Sequence, residues 1–206
     1  MRDLITVGCV ALVLSLSLAA PVAAGPFEDG LAAYKRGDYA TALRLLRPLA
    51  NQGNAVAQRM LGVMYDLGQG VPQDYAEAMK WYLQGAEQGN VRAQTNLGVM
   101  YDGGRGVPED YGEAMKWYRK AADQGDADAQ NYLGVMHEHG HGVPPDYVQA
   151  YKWYDVAAAR YPAAASERRQ ETVTNRDRVA ARMTAAQIAE AQRLAREWKP
   201  KPERPE

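Results

Sequence analysis

The sequence predicts an all-α protein built as an α/α solenoid of helical hairpins. Its main evidence is repetition with a period of 36 residues. The motif Gly-Val-Pro lies at residues 70–72, 106–108 and 142–144, and Trp-Tyr lies at residues 81–82, 117–118 and 153–154. Such a period is typical of solenoids, in which each repeat packs on its neighbours. Within each copy, apolar residues recur three or four positions apart, as on one face of a helix.

Residues 1–24 are predicted to be a signal peptide. An apolar run at residues 4–20 is followed by Val-Ala-Ala, which fits a small-residue cleavage site ending at Ala24. An uncleaved membrane anchor is the alternative, although the run is short for a span of ~20 residues. Cys9, the single cysteine, lies early in the run, whereas a lipid-attachment cysteine would follow it. We therefore expect a periplasmic or secreted protein that does not insert into the membrane after cleavage.

Residues 25–50 are predicted to form a shorter helical hairpin that turns at Gly37-Asp38-Tyr39. Tyr39 lies 36 residues before Tyr75, so this hairpin is a truncated first repeat. Departure from the repeat pattern is normal at the end of an array, where one neighbour is missing. Three full repeats follow, and their predicted limits are residues 51–86, 87–122 and 123–160.

Each full repeat is predicted to contain two helices, A and B. Helix A starts at an N-cap-type residue, namely Asn54, Asn90 or Asp126, and helix B starts at Asp74, Asp110 or Asp146. The sequence Gly-x-Gly-Val-Pro ends helix A, because glycine tolerates positive φ and proline breaks the helix. Gly62, Gly98 and Gly134 lie inside helix A, where glycine costs ~1 kcal/mol relative to alanine. Their recurrence predicts close approach of two helices.

The period ends after Arg160, and residues 161–198 are predicted to form capping helices. Residues 163–183 contain neither glycine nor proline and are expected to form one long helix. Thr184-x-x-Gln187 is a capping-box pattern that predicts a last helix at residues 185–198. Its apolar face would seal the exposed end of the last repeat. Residues 199–206 alternate proline with charge and are predicted to be a disordered, solvated tail.

The repeat closely resembles the Sel-1-like repeat, a relative of the tetratricopeptide repeat. The shared pattern is A-x-x-x-L-G-x-M-Y-x-x-G-x-G-V-P-x-D-Y-x-x-A-x-x-W-Y. The resemblance implies a right-handed superhelix with helix A on its concave surface, and a tetratricopeptide-like character for the first hairpin. It also implies a scaffold that assembles protein complexes. The cysteine-rich, disulfide-linked branch of the family is a poor comparison, because no cysteine follows residue 24.

Composition argues against several functions. The net charge is −1, so no basic excess favours nucleic acid. Ser166 is the only serine after residue 24 and has no partner constellation for hydrolase chemistry. The Gly-x-Gly turns lack the preceding strand and third glycine of a dinucleotide-binding loop. We therefore expect neither catalysis, cofactor nor small-molecule substrate.

Two local features support alternative hypotheses. His137, His139 and His141 are the only histidines, and imidazole is a common metal ligand, so a metal-binding protein is one alternative. Drift within the repeat explains them too, since His137 occupies a core position. Residues 160–198 contain 8 Arg against 5 acids, which suggests a basic face for an acidic partner. The basic residues concerned are Arg168, Arg169, Arg176, Arg178 and Arg182. An envelope enzyme acting on cell-wall material is a further alternative, but no paired catalytic acids support it.

The leading hypothesis is a non-catalytic, monomeric adaptor of the cell envelope that binds a protein or peptide. Positions that are identical in all copies serve packing, whereas variable positions on the inner side of helix A are free for recognition. The candidate partner-binding residues are Val56, Arg59, Val63, Asp66, Leu67, Arg92, Thr95, Val99, Asp102, Asp128, Asn131, Val135, Glu138 and His139. Thr95 is expected to be exposed, and Arg59, Arg92 and Asn131 are expected to present donors to the bound chain.

Overall fold

A computed structural model describes residues 25–201, and within that range the secondary structure is entirely helical. The predicted signal peptide lies outside the described residues, as do residues 202–206 of the predicted tail. The helices are α1 (Pro26–Lys35), α2 (Tyr39–Asn51), α3 (Ala55–Leu67), α4 (Tyr75–Glu87), α5 (Val91–Asp102), α6 (Tyr111–Asp123), α7 (Ala127–His139), α8 (Tyr147–Arg160), α9 (Ser166–Ala180) and α10 (Ala185–Glu197).

The first eight helices form four antiparallel hairpins, and each hairpin packs on the next through its second helix. Helices α3, α5 and α7 are the predicted A helices, and α4, α6 and α8 are the B helices. The all-α solenoid predicted from the 36-residue period is thereby confirmed. The core consists mainly of alanine, leucine and methionine from the A helices and of alanine and tyrosine from the B helices.

Helix starts follow the predicted caps. The side chain of Asn54 accepts a hydrogen bond from the Ala57 amide at 2.9 Å, and Asn90 and Asp126 cap α5 and α7 in the same way. Asp74, Asp110 and Asp146 cap the three B helices. Each cap satisfies an amide that would otherwise lack a partner in the first turn. These cap residues therefore determine where each helix of the three full repeats begins.

The glycine-rich loops pack against the preceding repeat. Gly68 and Gly70 have φ of 67° and 74°, as expected for residues that end helix A. A Cβ on Gly70 would lie 2.9 Å from the Cβ of Tyr39 in the preceding hairpin. The loop can therefore pack against that tyrosine only when glycine occupies position 70. Gly106 and Gly142 meet Tyr75 and Tyr111 in the same way.

The central glycines of the A helices lie at helix crossings, as predicted. A Cβ on Gly134 would lie 2.6 Å from the ring of Tyr154 in α8, and Gly62 and Gly98 meet Tyr82 and Tyr118 in the same way. The three tyrosines are at most 1% exposed. Glycine at these positions therefore costs helix propensity but leaves room for a tyrosine ring close to the backbone of helix A.

A glutamine ladder joins successive repeats and was absent from the sequence prediction. Gln58, Gln94 and Gln130 are buried, and each donates to a carbonyl at the end of the preceding B helix, at 3.1, 3.2 and 3.0 Å. Gln58 and Gln94 also accept from Gln88 and Gln124, the C-cap residues of α4 and α6 in their own hairpins. The next position in that series is Arg160, and the Gln130 Oε1 atom has no hydrogen-bond partner within residues 25–201. The ladder therefore ends where the repeat ends.

The C-terminal helices differ in part from the prediction. The prediction of a single helix over residues 163–183 is wrong. Residues 163–165 form a 3₁₀ turn, and α9 covers only Ser166–Ala180. The chain must turn after α9 so that α10 can begin at the predicted capping box of Thr184 and Gln187, which is present. Both helices pack against α8 and cover its apolar face. The side chains of residues 199–201 are exposed, but the Lys201 amide donates to the Asp123 carbonyl at 2.6 Å.

Candidate interaction surface

The A helices, with Arg168 of α9, line a concavity of about 250 Å³. No B-helix residue contributes to it, which agrees with the expectation that helix A forms the inner surface. Its lining residues are Arg59, Val63, Arg92, Thr95, Asn96, Asp126, Asp128 and Arg168. Five of these were predicted as partner-binding residues, and they come from α3, α5 and α7. The structure therefore brings residues from three repeats to one surface.

The α3 portion of this surface is the most accessible. Val56 and Leu67 are 38% and 56% exposed, and both are large apolar residues on the predicted face. Val63 lies between them and is half-buried. The Arg59 side chain is also half-buried, and its Nη2 atom lies 3.0 Å from the Met60 sulfur. Burial, together with the nearby charge of Arg92, lowers the pKa of Arg59.

The α5 portion requires one correction. Thr95 was expected to be exposed, but it is only 7% exposed. Its hydroxyl donates to the Val91 carbonyl at 3.2 Å and contacts the Asp126 carboxylate at 3.1 Å. Thr95 thus joins α5 to the cap of α7 instead of facing a partner. Arg92 is exposed, as predicted, and Val99 is half-buried.

The α7 portion is covered by α9, which was not foreseen. Arg168 of α9 forms a salt bridge with Asp128 at 2.7 Å, and Thr172 donates to Asn131 at 3.0 Å. Asn131 was expected on an open groove, but its side-chain oxygen accepts this hydrogen bond from α9. Val135, on the same helix, is half-buried and packs on the cluster beneath α9.

Glu138 is the second correction, since it was expected on an open groove and is 5% exposed. Its carboxylate accepts from Arg178 at 2.9 and 3.0 Å and from the Tyr154 hydroxyl at 2.8 Å. Burial alone would raise the pKa of Glu138, but these hydrogen bonds outweigh it and lower that pKa. The charged carboxylate is therefore the form that holds α9 on α7.

The basic residues of the C-terminal segment have partners within the chain. Besides the two salt bridges on α7, Arg176 contacts Asp155 at 2.9 Å, and Arg182 donates to the Tyr147 hydroxyl at 3.3 Å. Of the five arginines proposed to meet an acidic partner, Arg169 alone shows no such contact within residues 25–201. The acidic groups that meet this basic face are largely those of the last repeat.

An acid and a tyrosine recur together at each level of the array. The hydroxyl groups of Tyr82 and Tyr118 lie 3.3 and 3.4 Å from Asp66 and Asp102, in the same arrangement as Tyr154 and Glu138. Burial raises the pKa of Asp102, although His141 and Tyr118 act in the opposite direction. Asp66, Asp102 and Glu138 thus have the same structural role in each repeat. The sequence analysis assigned them to the variable positions, although every copy has an acid there.

The rings of His139 and His141 lie 5.8 Å apart, but His137 is buried away from them. His137 is buried, and neither ring nitrogen has a hydrogen-bond partner among the described residues. His139 is exposed, whereas His141 stacks on Tyr111 with ring centroids 4.4 Å apart. Within residues 25–201 no group of three or more His, Cys, Asp or Glu side chains is placed to hold a metal ion. In the same range, no helix has the length and apolar character needed to cross a membrane.

Asn96 is a lining residue that the prediction missed. The equivalent positions in the neighbouring repeats are Met60 and Tyr132, so a polar residue in an otherwise apolar series was the available indication. Asp126 was predicted only as a cap, and it serves as one while also lining the concavity.

Comparison with known proteins identifies the repeat. The Sel1 repeat model matches residues 25–54, 55–90, 91–126 and 127–161, so the shorter first hairpin matches as well. A Sel1 repeat protein from Oxalobacter formigenes is 39% identical with a TM-score of 0.63, over 67% of this chain and 55% of that one. The protective antigen c5321 of uropathogenic Escherichia coli, which has an SLR fold, is 30% identical with a TM-score of 0.50. That match covers 84% of this chain and 44% of the antigen. No curated protein matches the chain.

Proposed function

This chain belongs to the Sel1 repeat family, and from that premise we propose that it is a non-catalytic adaptor of the bacterial cell envelope. Proteins with these repeats are generally protein–protein interaction scaffolds. The chain spans about half the length of each of these two solved relatives. The partner of this chain is therefore a proposal. The partner is a protein or an extended peptide, bound along the concave surface of α3 and α5.

One observation carries the choice of surface. The last repeat is covered by α9, whereas the equivalent face of α3 presents exposed Val56 and Leu67. This face also carries Arg59, which forms no salt bridge with a carboxylate of residues 25–201. Exposed apolar side chains beside polar groups are typical of protein interaction sites. The recognition surface therefore consists of Val56, Arg59, Val63, Leu67 and Arg92. This set is smaller than the sequence predicted, because Thr95, Asn131 and Glu138 serve the fold.

Photo-crosslinking in cells tests this surface. A benzophenone amino acid is placed at Val63 or Leu67 on the concave side, and at Lys80 or Lys116 on the B helices as controls. The two lysines are exposed, and each forms a salt bridge within its own helix, to Glu77 and Glu113 respectively. We expect the concave positions to yield the same crosslinked protein, and the control positions to yield none of it. A partner captured only from Lys80 or Lys116 would place recognition on the B helices and refute the proposal.

The envelope location is tested separately. Its basis is the apolar run at residues 4–20 followed by Val-Ala-Ala at residues 22–24. We expect the intact mass of the protein from the envelope fraction to correspond to a chain that begins at Gly25. Recovery of a chain that still begins at Met1 would contradict export with cleavage. Changing Ala24 to a bulky residue serves as the control, since it should slow processing without altering synthesis.

A further inference from the structure

The concavity of the A helices contains more positive than negative charge, and its two carboxylates are already engaged. Asp128 binds Arg168 at 2.7 Å and accepts from the Tyr161 hydroxyl at 2.9 Å. Asp126 caps α7 by accepting from the Ala129 amide at 2.8 Å. Burial raises the pKa of Asp126, and the charge of Arg92 acts in the opposite direction, so Asp126 and Arg92 do interact. With three arginines against two aspartates, the lining of the concavity still has one positive charge in excess.

Arg59 and Arg92 remain without an ion pair among residues 25–201. By contrast, Arg176, Arg178 and Arg193 all form salt bridges at 2.6–2.9 Å. Arg59 is half-buried, and burial together with Arg92 lowers its pKa. Two neighbouring guanidinium groups of like charge repel each other, and the repulsion is stronger where water is partly excluded. An anion between them would remove that repulsion.

We propose that Arg59 and Arg92 bind a carboxylate of the partner peptide, supplied by its C-terminus or by an Asp or Glu side chain. Guanidinium groups bind carboxylates through paired, charge-assisted hydrogen bonds, and these are stronger than neutral ones. Exposed Val56 and half-buried Val63 lie on the same helix face, where they would contact the apolar part of the residue that carries the carboxylate. This inference rests on the proposed function and assigns the chemistry of its partner.

The charges that line the concavity favour a carboxylate over a phosphate group. The volume of the concavity, about 250 Å³, does not by itself separate the two groups. Asp126 and Asp128 also line it, and a phosphate ester with a charge of about −1.5 to −2 would be repelled more strongly than a monoanion. The site therefore matches a single negative charge at the end of, or within, a peptide.

The test uses the protein produced with its N-terminal segment, so that the cell processes it. Two random octapeptide libraries are screened, one with a free C-terminal carboxylate and one with a C-terminal amide. Selected peptides are then measured by fluorescence anisotropy against wild type, Arg59→Gln/Arg92→Gln, and the control Lys80→Gln/Lys116→Gln. Each variant removes two positive charges, and circular dichroism confirms that both retain the fold.

We expect the selected peptides to contain a carboxylate and to bind Arg59→Gln/Arg92→Gln about tenfold or more weakly, roughly 1.4 kcal/mol, with no change in the control. Enrichment from the free-acid library alone identifies the C-terminus, whereas Asp or Glu enriched in both libraries identifies a side chain. Equal binding to the double variant, selection of peptides without an excess of carboxylates, or selection of none would overturn the inference. If the crosslinked partner is still captured from Val63 in that case, the proposed function stands and only the carboxylate assignment fails.

Discussion

At the scale of single residues, Gly98 shows most directly how the repeat determines its packing. A Cβ at this position would overlap the ring of Tyr118, which is fully buried. Gly98→Ala should therefore destabilise the protein by ~1–3 kcal/mol through overpacking, although alanine is the better helix former. For a chain of this size, each kcal/mol corresponds to roughly 2–4 °C, so the melting temperature should fall by several degrees.

Gly112→Ala is the matched control for Gly98→Ala. Gly112 is exposed in α6, and the equivalent positions already hold Ala76 and Val148. A Cβ there would meet only the Asp110 side chain, at 3.2 Å. We expect no loss of stability, or a gain within about 1 kcal/mol. Equal melting temperatures for the two alanine variants would contradict the assignment of Gly98 to a helix crossing.

His137 gives the protein a defined dependence on pH. Burial, followed by the charges of Arg119 and Lys152, lowers its pKa, while Asp146 acts in the opposite direction. The folded state therefore keeps this imidazole neutral, whereas in the unfolded chain it takes up a proton below about pH 6.5. The unfolded state then binds more protons, so the free energy of unfolding decreases as the pH falls below that value.

His137→Tyr should remove this part of the pH dependence, because tyrosine occupies the equivalent positions 65 and 101. Urea midpoints measured at about pH 7.5 and about pH 5.5, on either side of the ordinary histidine pKa, should differ less for the variant than for wild type. His139→Tyr, at an exposed position, is the control and should keep the wild-type difference. A pH dependence in His137→Tyr that matches wild type would show that other groups cause it.

At the scale of helices, the sequence predicted the repeats well and the end of the array poorly. Caps such as Asn54 bond within a few residues, and glycines such as Gly70 pack against the neighbouring copy. The structure of one repeat therefore predicts that of the next. The position of α9 depends on contacts such as Arg178 with Glu138, 40 residues apart and present once. A pair that occurs only once gives no periodic signal in the sequence. The variable residues therefore included Glu138, which is buried, along with Val56, which is exposed.

Arg178 is predicted to hold α9 on α7. Its salt bridge reaches a carboxylate that is 2% exposed, and removal of one partner from a buried pair costs ~3–5 kcal/mol when both ions are fully buried. Arg178 itself is 47% exposed, so a smaller loss is expected. Arg178→Ala should accelerate amide hydrogen exchange in α9 and leave α3 and α4 unchanged, because repeats couple mainly to their neighbours.

Arg169→Ala is the control on the same helix, since Arg169 is exposed and makes no ion pair within the described residues. It should leave exchange in α9 close to that of wild type. If both variants loosen α9 equally, the loss of positive charge on the helix, and not the contact with Glu138, would explain the effect.

At the scale of the whole molecule, charge and apolar surface explain why the array ends where it does. Residues 51–159 contain 8 Lys and Arg against 14 Asp and Glu, whereas residues 160–198 contain 8 Arg against 5 acids. The basic segment thus folds back on the acidic end of the repeats. It also covers α8, where Tyr151 is 6% exposed and contacts Gln192 of α10 and Arg176 of α9. The same segment therefore pairs with acidic groups of the last repeat and covers its apolar surface.

Removal of this segment should therefore make the protein self-associate more strongly than the full chain does. A chain ending at Arg160 would expose the apolar face formed by Ala150, Tyr151 and Tyr154, and contiguous apolar patches of several hundred Å² promote association. Light scattering coupled to size-exclusion chromatography should show a mass that rises with concentration for the shortened chain and a constant monomer mass for the full one. Tyr151→Lys in the shortened chain should restore the monomer, because a charge on that face opposes burial. A shortened chain that stays monomeric without this substitution would show that α9 and α10 are not needed to close the array.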